Sequence, residues 1–476
     1  MRKLTISLLA FCITMSVTAQ PVSDSLMIRK ISDYILENGA AYEHLRKLCK
    51  EIGPRLSGSP GMYQAEQWGK NVLQEMGADK VYFQQCFIPH WVRGKKEEAS
   101  LIIPAYLLSS SQNSKKKLSN SVKMDVLSLG NAVGTGPKGI TAPLMTVHSF
   151  AELEKRKDEV KGKIVFYNYP FKQTFVHTFE GYGDAVRYRG NGASAAAKYG
   201  ALAVLVRSVT PAQDNHPHTG AIRYNDSFPK IPAVAISTNH AEAIAAITRV
   251  ELTDSRAEPC KIFLRTNCVM LPDTIAHNVI AEIRGSEFPD EIITIGGHLD
   301  SWDPAEGAHD DGAGVVQSME VINVFRQIGY KPKRTIRVVL FANEENGLRG
   351  GTKYAQEAKA NNEKHVLAIE SDGGGFTPRA FSSTMNDRQF AKFKSWNDLL
   401  RPYGIEDMNR GGGGADIGPL NRTMGVPVVE LSPDSQRYFD VHHAASDVFE
   451  TVNRRELHLG AVTIAALVYL ADQYGL

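Results

Sequence analysis

"GGHLDSWDPAEGAHDDGAG", residues 296–314, sets two histidines and four aspartates among glycines. It follows directly on "EIITI" (291–295), a run of apolar residues that reads as a buried strand. Burying carboxylates is costly unless something positive pairs with them, and a metal ion is one such partner. The pattern on either side of this stretch decides whether a metal is expected.

Working outward, apolar runs alternate with amphipathic helical segments: "NVIAEIRG" (278–285), "GAGVVQSMEVINVFRQIG" (312–329), "RTIRVVLFANEENG" (334–347), "HVLAIESDGG" (365–374), "VPVVELS" (426–432) and a C-terminal helix around "LHLGAVTIAALVYLADQYG" (457–475). Such alternation predicts an α/β fold, a mostly parallel mixed sheet with helices on both faces. In these sheets ligands bind beyond the carboxyl ends of the strands. His298 and Asp300 follow one predicted strand, Glu344 and Glu345 another, and Asp372 a third, while Asp310 and Asp311 precede a helix. Each feature alone has a plain reading as a capped turn or a solvated helix start. Together these carboxylates would repel on one rim without a cation. Imidazole and carboxylate donors without cysteine suit zinc, and a bridged pair of ions is a known hydrolytic arrangement.

The remaining chain is that of an exported globular protein. "MRKLTISLLAFCITMSVTAQ" (1–20) has the basic start, short apolar run and small residues of a signal peptide cut after Ala19. Its apolar run is short for a membrane span, and no other segment is long and apolar enough, so no membrane anchor is expected. Export to the periplasm or outside the cell follows, and the Ala19–Gln20 junction favours the periplasm. With 54 Lys plus Arg against 52 Asp plus Glu, the formal net charge of +2 gives no case for a nucleic-acid partner. At 476 residues two domains are expected. Residues 20–124 and 266–476 form the first, with helices near 25–53 and 62–77 and an exposed Lys- and Ser-rich loop at 109–121. Residues 125–265 change texture to short strands ("GKIVFYNYP", "ALAVLVRSV", "IPAVAIS") around a small helix, a β-rich insertion. His216 and His218 within it read as solvated loop. Export permits disulfides, and of Cys49, Cys86, Cys260 and Cys268 the local pair expected is Cys260 with Cys268, the alternative being buried thiols throughout.

"GGHLDSWD", "GAHDDGAG", "FANEENGLRGG", "ESDGG" and "HHAASD" resemble, in order and spacing, the motif series of the co-catalytic zinc exopeptidases related to bacterial leucyl aminopeptidase. The 125–265 segment resembles the protease-associated domain that some of these enzymes carry as an insertion. The resemblance implies two zinc ions per chain. His298 and Asp372 would hold one, Glu345 the other, and Asp310 would bridge them, its bond to Asp311 being a cis peptide in relatives. Asp300 would orient His298, and Glu344 would be the general base for a shared, zinc-activated water. Two adjacent histidines compete for the last position. The ligand in relatives lies four residues before the acidic residue, which selects His443 and leaves His442 to the substrate or to packing.

The resemblance further implies hydrolysis of dipeptides or short peptides with free ends, and dimerisation is common in the group. Asp416, Gly413 and Gly414 in "NRGGGGADIGPL" (409–420) are expected at the substrate pocket, with Arg410 and Arg437 as carboxylate partners. His309 has no role implied and reads as an exposed turn. A glutaminyl cyclase of the same fold and a peptide-binding relative without activity are the alternatives. The complete ligand set argues against both, and an endopeptidase is disfavoured by the family alone.

Overall fold

A computed structural model describes residues 22–105, 120–251 and 258–476. The leader and nearly all of the 109–121 loop lie outside the described residues. Two eight-stranded sheets organise the rest. In the first, the spatial order is Lys80–Val92, Val269–Ile283, Arg334–Phe341, Phe288–His298, Lys364–Glu370, Val428–Pro433, Pro378–Ser383 and Asp407–Arg410. The four strands from Arg334–Phe341 to Val428–Pro433 run parallel, as expected of the alternating sequence, and antiparallel partners complete both sides.

Alternation along these strands sorts their side chains onto two covered faces. Val279, Val338, Leu340, Leu367, Ile369 and Val429 pack with the helices Val22–Asn38, Pro60–Glu75, Ala313–Gln327 and Arg454–Tyr474. Ile280, Val339, Phe341, Ala368 and Val428 pack on the other side with Arg349–Ala360 and Gly418–Met424. A strand covered on both faces must be apolar at every position, which is why these runs read as continuous rather than alternating.

The second sheet runs Ser121–Met124, Glu98–Ile102, Lys261–Arg265, Ile140–Val147, Ile164–Tyr167, Ala203–Arg207, Ala233–Ile236 and Val126–Ser128. It draws in Glu98–Ile102, so its hydrogen-bonded extent begins upstream of position 125. Its helix Thr178–Ala197 is longer than "GNGASAAAKYG" alone conveys, and with Thr238–Glu251 it covers the sheet's two faces. Leu56, Trp91 and Trp302, contributed by the first domain, pack into the cluster on one of those faces. Gly130 is required there, because a β-carbon would stand 1.8 Å from the Trp302 ring.

No disulfide joins Cys260 to Cys268; all four described cysteines are buried thiols. The two flank one short strand but pack into different clusters, Cys260 with Ile262 and Leu264 and Cys268 with Trp91 and Leu129. Among the described residues no helix is long and apolar enough to cross a membrane.

One buried cation ties the N-terminal helices to the loop quoted first. Arg55 is fully buried and donates from Nε to Leu299 O (2.5 Å), from Nη1 to Glu306 O (2.5 Å) and from Nη2 to Gly307 O (2.8 Å). Arg55→Leu would leave three carbonyls without this donor. Its expected cost is about 3 kcal/mol or more in urea unfolding at neutral pH, and a loss below about 1 kcal/mol would show the staple to be dispensable.

Candidate metal centre

The first sheet delivers its polar residues to one rim. His298 is the last residue of its strand and is buried. Its Nε2 lies 3.2 Å from Asp310 Oδ1 and 3.4 Å from Asp372 Oδ1. Asp310 turns its other oxygen to the second histidine: Oδ2 is 3.2 Å from His443 Nε2, which is itself 3.1 Å from Glu345 Oε2. Asp310 thus stands between His298 and Asp372 on one side and His443 and Glu345 on the other. Oδ2 of Asp310 and Oε1 of Glu345 are buried without an aligned hydrogen bond. Groups of three ligand-type atoms lying within 4.8 Å of one another occur across this cluster.

Local backbone chemistry explains the placement. Asp311 accepts from Gly314 N–H (3.0 Å) at the start of the helix Ala313–Gln327 and from His298 N–H (3.0 Å), joining strand end to helix start. The two glycines permit that closeness, since a β-carbon would stand 2.3 Å from Asp311 Oδ2 at Gly297 and 1.8 Å from Ser371 O at Gly314. The Asp310–Asp311 peptide is cis. Asn343 and Leu348, with φ of 64° and 54°, bracket the short turn that presents Glu344 and Glu345. Asp300 meets His298 through its backbone. Its main-chain carbonyl lies 2.9 Å from His298 Nδ1, whereas its carboxylate is 3.8 Å away and accepts instead from Glu344 N–H at 3.1 Å.

Burial and mutual repulsion dominate the electrostatics of the cluster. Burial, then the neighbouring Asp372 and Glu345 carboxylates, holds Glu344 well above the usual carboxylate range. Burial and Asp310 push Glu345 up to about 7. Burial works against charge on His443 as well, yet Glu345 and Asp310 hold its imidazolium form well above the ordinary histidine value. Asp310 behaves oppositely: against the effect of burial, His298 and His443 hold its carboxyl well below the usual range. Two imidazoles and three carboxylates with free lone pairs fit zinc, which takes nitrogen and oxygen donors in just such small sets.

Several expectations are corrected. Asp416 is fully buried with neither carboxylate oxygen hydrogen-bonded, and with Gly413 and Gly414 it lies outside the lining of the cavity over the cluster. Gly413 N–H donates to Glu430 Oε2 (3.1 Å), and a β-carbon on Gly414 would meet Glu370, so the four-glycine loop packs on those acids. Arg410 pairs with Asp387 and Arg437 with Glu456, both away from the cavity. His309 is buried rather than exposed, stacked on Phe376 at 4.2 Å and accepting from Gly375 N–H at 3.1 Å. His218 is buried too, and only His216 is exposed. His442 stacks on His443 with ring centroids 3.6 Å apart and does line the cavity.

Two contributions escaped sequence reasoning. Asp447 accepts from His309 N–H (2.8 Å) and Asp310 N–H (3.1 Å), fixing the backbone of Asp310; it is the acidic residue of "HHAASD", so a signal was present. The second is the inserted domain's share of the cavity. That cavity, about 680 Å³, is lined by Asp310, Glu344, Glu345, Asp372, His442 and His443 together with Tyr182, Arg187, Arg189, Asn191 and Arg223 of the inserted domain, of which Arg189 Nη1 lies 3.4 Å from His443 Nδ1.

Stripping divalent cations should lower the midpoint of thermal unfolding by several degrees, with recovery on adding zinc, because a ligand at 100 times its Kd stabilises by about 2.7 kcal/mol. An unchanged midpoint would mean that the cluster holds no ion.

The family model for peptidase family M28 matches residues 278–468, and that for the PA domain matches 138–244, within the second sheet. Mouse carboxypeptidase Q is 36% identical over 430 residues, covering 90% of this chain and 85% of that protein. The peptidase M28 precursor of Shewanella amazonensis superposes with a TM-score of 0.86 at 31% identity, over 94% of this chain and 97% of that one. A zinc aminopeptidase from Bacillus subtilis shares the fold, with a TM-score of 0.62 at 19% identity over 90% of this chain and 94% of that one. The chain therefore belongs to peptidase family M28, a zinc metallopeptidase with an inserted PA domain.

Proposed function

We propose that the cluster holds two zinc ions and that the protein is an exopeptidase, hydrolysing dipeptides or short peptides with free ends. The observation that carries the reading is Asp310, whose two oxygens face His298 and His443 at 3.2 Å each. A carboxylate so placed is suited to bridge one ion held by His298 and Asp372 and another held by His443 and Glu345. When bound, zinc supplies a Lewis acid for the scissile carbonyl and makes a water molecule acidic near neutral pH.

The chain's own residues supply the rest. Glu344 lines the cavity beside these donors, and its N–H is pinned by Asp300. It takes the proton of the attacking water and passes it to the leaving amine. His442 lies beside His443 on the same wall and is the substrate contact there. Arg223 of the inserted domain, also lining the cavity, offers its guanidinium to a substrate carboxylate in place of Arg410 and Arg437, whereas Arg187 lies 3.7 Å from Asp184. A cavity of about 680 Å³ walled on both sides suits a short peptide rather than a folded chain. The leader supports export as the setting for this activity.

Glu344→Gln should keep its zinc and lose about 10²–10⁴-fold in kcat. A rate near wild type would remove Glu344 as the base. Substrate ends are tested with one dipeptide in free, N-acetylated and C-amidated forms. Cleavage of the free form alone, abolished by chelation and restored by zinc, is expected; equal cleavage of all three would contradict recognition of free ends.

A further inference from the structure

The inserted domain meets the cluster through residues 218 and 219. His443 has φ of 62°, in the left-handed region, which side chains other than glycine hold only where their surroundings impose it. Here the inserted domain imposes it. His218 Nδ1 donates to His442 O (2.7 Å), and Thr219 N–H donates to His443 O (2.9 Å). Thr219 O in turn lies 3.2 Å from His443 Nδ1 and accepts from Arg189 Nη1 at 3.1 Å. Both residues are buried and anchored in their own domain, His218 N–H on Ser208 Oγ (2.9 Å) and Thr219 Oγ1 on Ser128 O (2.9 Å).

An imidazole that binds a metal through Nε2 carries its ring proton on Nδ1, and the acceptor for that proton fixes both tautomer and ring orientation. For His298 the acceptor is Asp300 O, two residues along the same chain segment. For His443 it is Thr219 O, from the other domain. The two halves of the centre are therefore built differently.

We infer that the PA domain is a working part of the metal centre. Residues 218 and 219 clamp the His442–His443 turn and aim His443, so the zinc shared by His443 and Glu345 depends on the inserted domain, while the one at His298 and Asp372 does not. His218 is a positioning residue in this scheme, which rests on the proposed role of His443 as a ligand.

The test is calorimetric zinc titration of the metal-free full-length mature chain, in wild type, His443→Ala, His218→Leu and His218→Asn; asparagine keeps an N–H near the place of Nδ1. His443→Ala should bind one zinc at wild-type tightness. His218→Leu should bind the first zinc normally and the second about 10–100-fold more weakly, with His218→Asn recovering most of that loss. Two tight ions in His443→Ala would overturn the ligand assignment itself. One ion lost there but two of wild-type tightness in His218→Leu would overturn the clamp alone, as would a His218→Asn variant as weak as leucine. If His218→Leu does not fold, Ser208→Ala decides, since it removes the hydroxyl that anchors His218 N–H without touching His443: a weakened second zinc supports the clamp, and unchanged affinity for both overturns it.

Discussion

Like charges buried together constrain this molecule more than any other feature. Asp310, Glu344, Glu345 and Asp372 converge on two imidazoles at the rim of the parallel sheet, largely buried around one cavity, where screening by water is reduced. Burial and the neighbouring carboxylates raise the pKa values of Glu344 and Glu345, and Glu345 and Asp310 raise that of the imidazole between them. A zinc metallopeptidase resolves that conflict by binding metal, so fold, charge and cofactor are one problem with one solution.

Much of the remaining architecture serves to keep that cluster in place. Arg55 fastens the loop after His298 from below, Asp311 ties strand end to helix start, and Asp447 holds the backbone of residues 309 and 310. Glycines at 297 and 314 allow the close approach that these bonds require. The inserted domain adds the last support at His443 and the far wall of the cavity. The cavity is thus lined by both domains, acids and imidazoles from one and guanidinium groups from the other.

The parallel core, the strand-end positions of His298, Glu344, Glu345 and Asp372, and the insertion were legible because hydrophobic periodicity and motif spacing are local properties. What could not be read depended on contacts between distant segments. His218 and His309 sit in polar sequence yet are buried, one by the docking of two domains and the other by Phe376. The glycine-rich loop near Asp416 reads as a pocket wall because glycine permits many conformations, whereas Glu370 and Glu430 settle which one forms. Cys260 and Cys268 are close in sequence, but the sheet between them directs each to a different cluster. Which atom of Asp300 meets His298 is likewise set by the fold: its main-chain carbonyl faces Nδ1, while its carboxylate accepts from Glu344 N–H.

Anomalous diffraction at the zinc edge, from crystals of the zinc-loaded protein, tests the dinuclear centre most directly. Two peaks about 3.5–4 Å apart are expected, both in contact with Asp310, one about 2.0–2.1 Å from His298 Nε2 and the other at the same distance from His443 Nε2. A single peak at full zinc loading, or a second one away from His443 and Glu345, would contradict it.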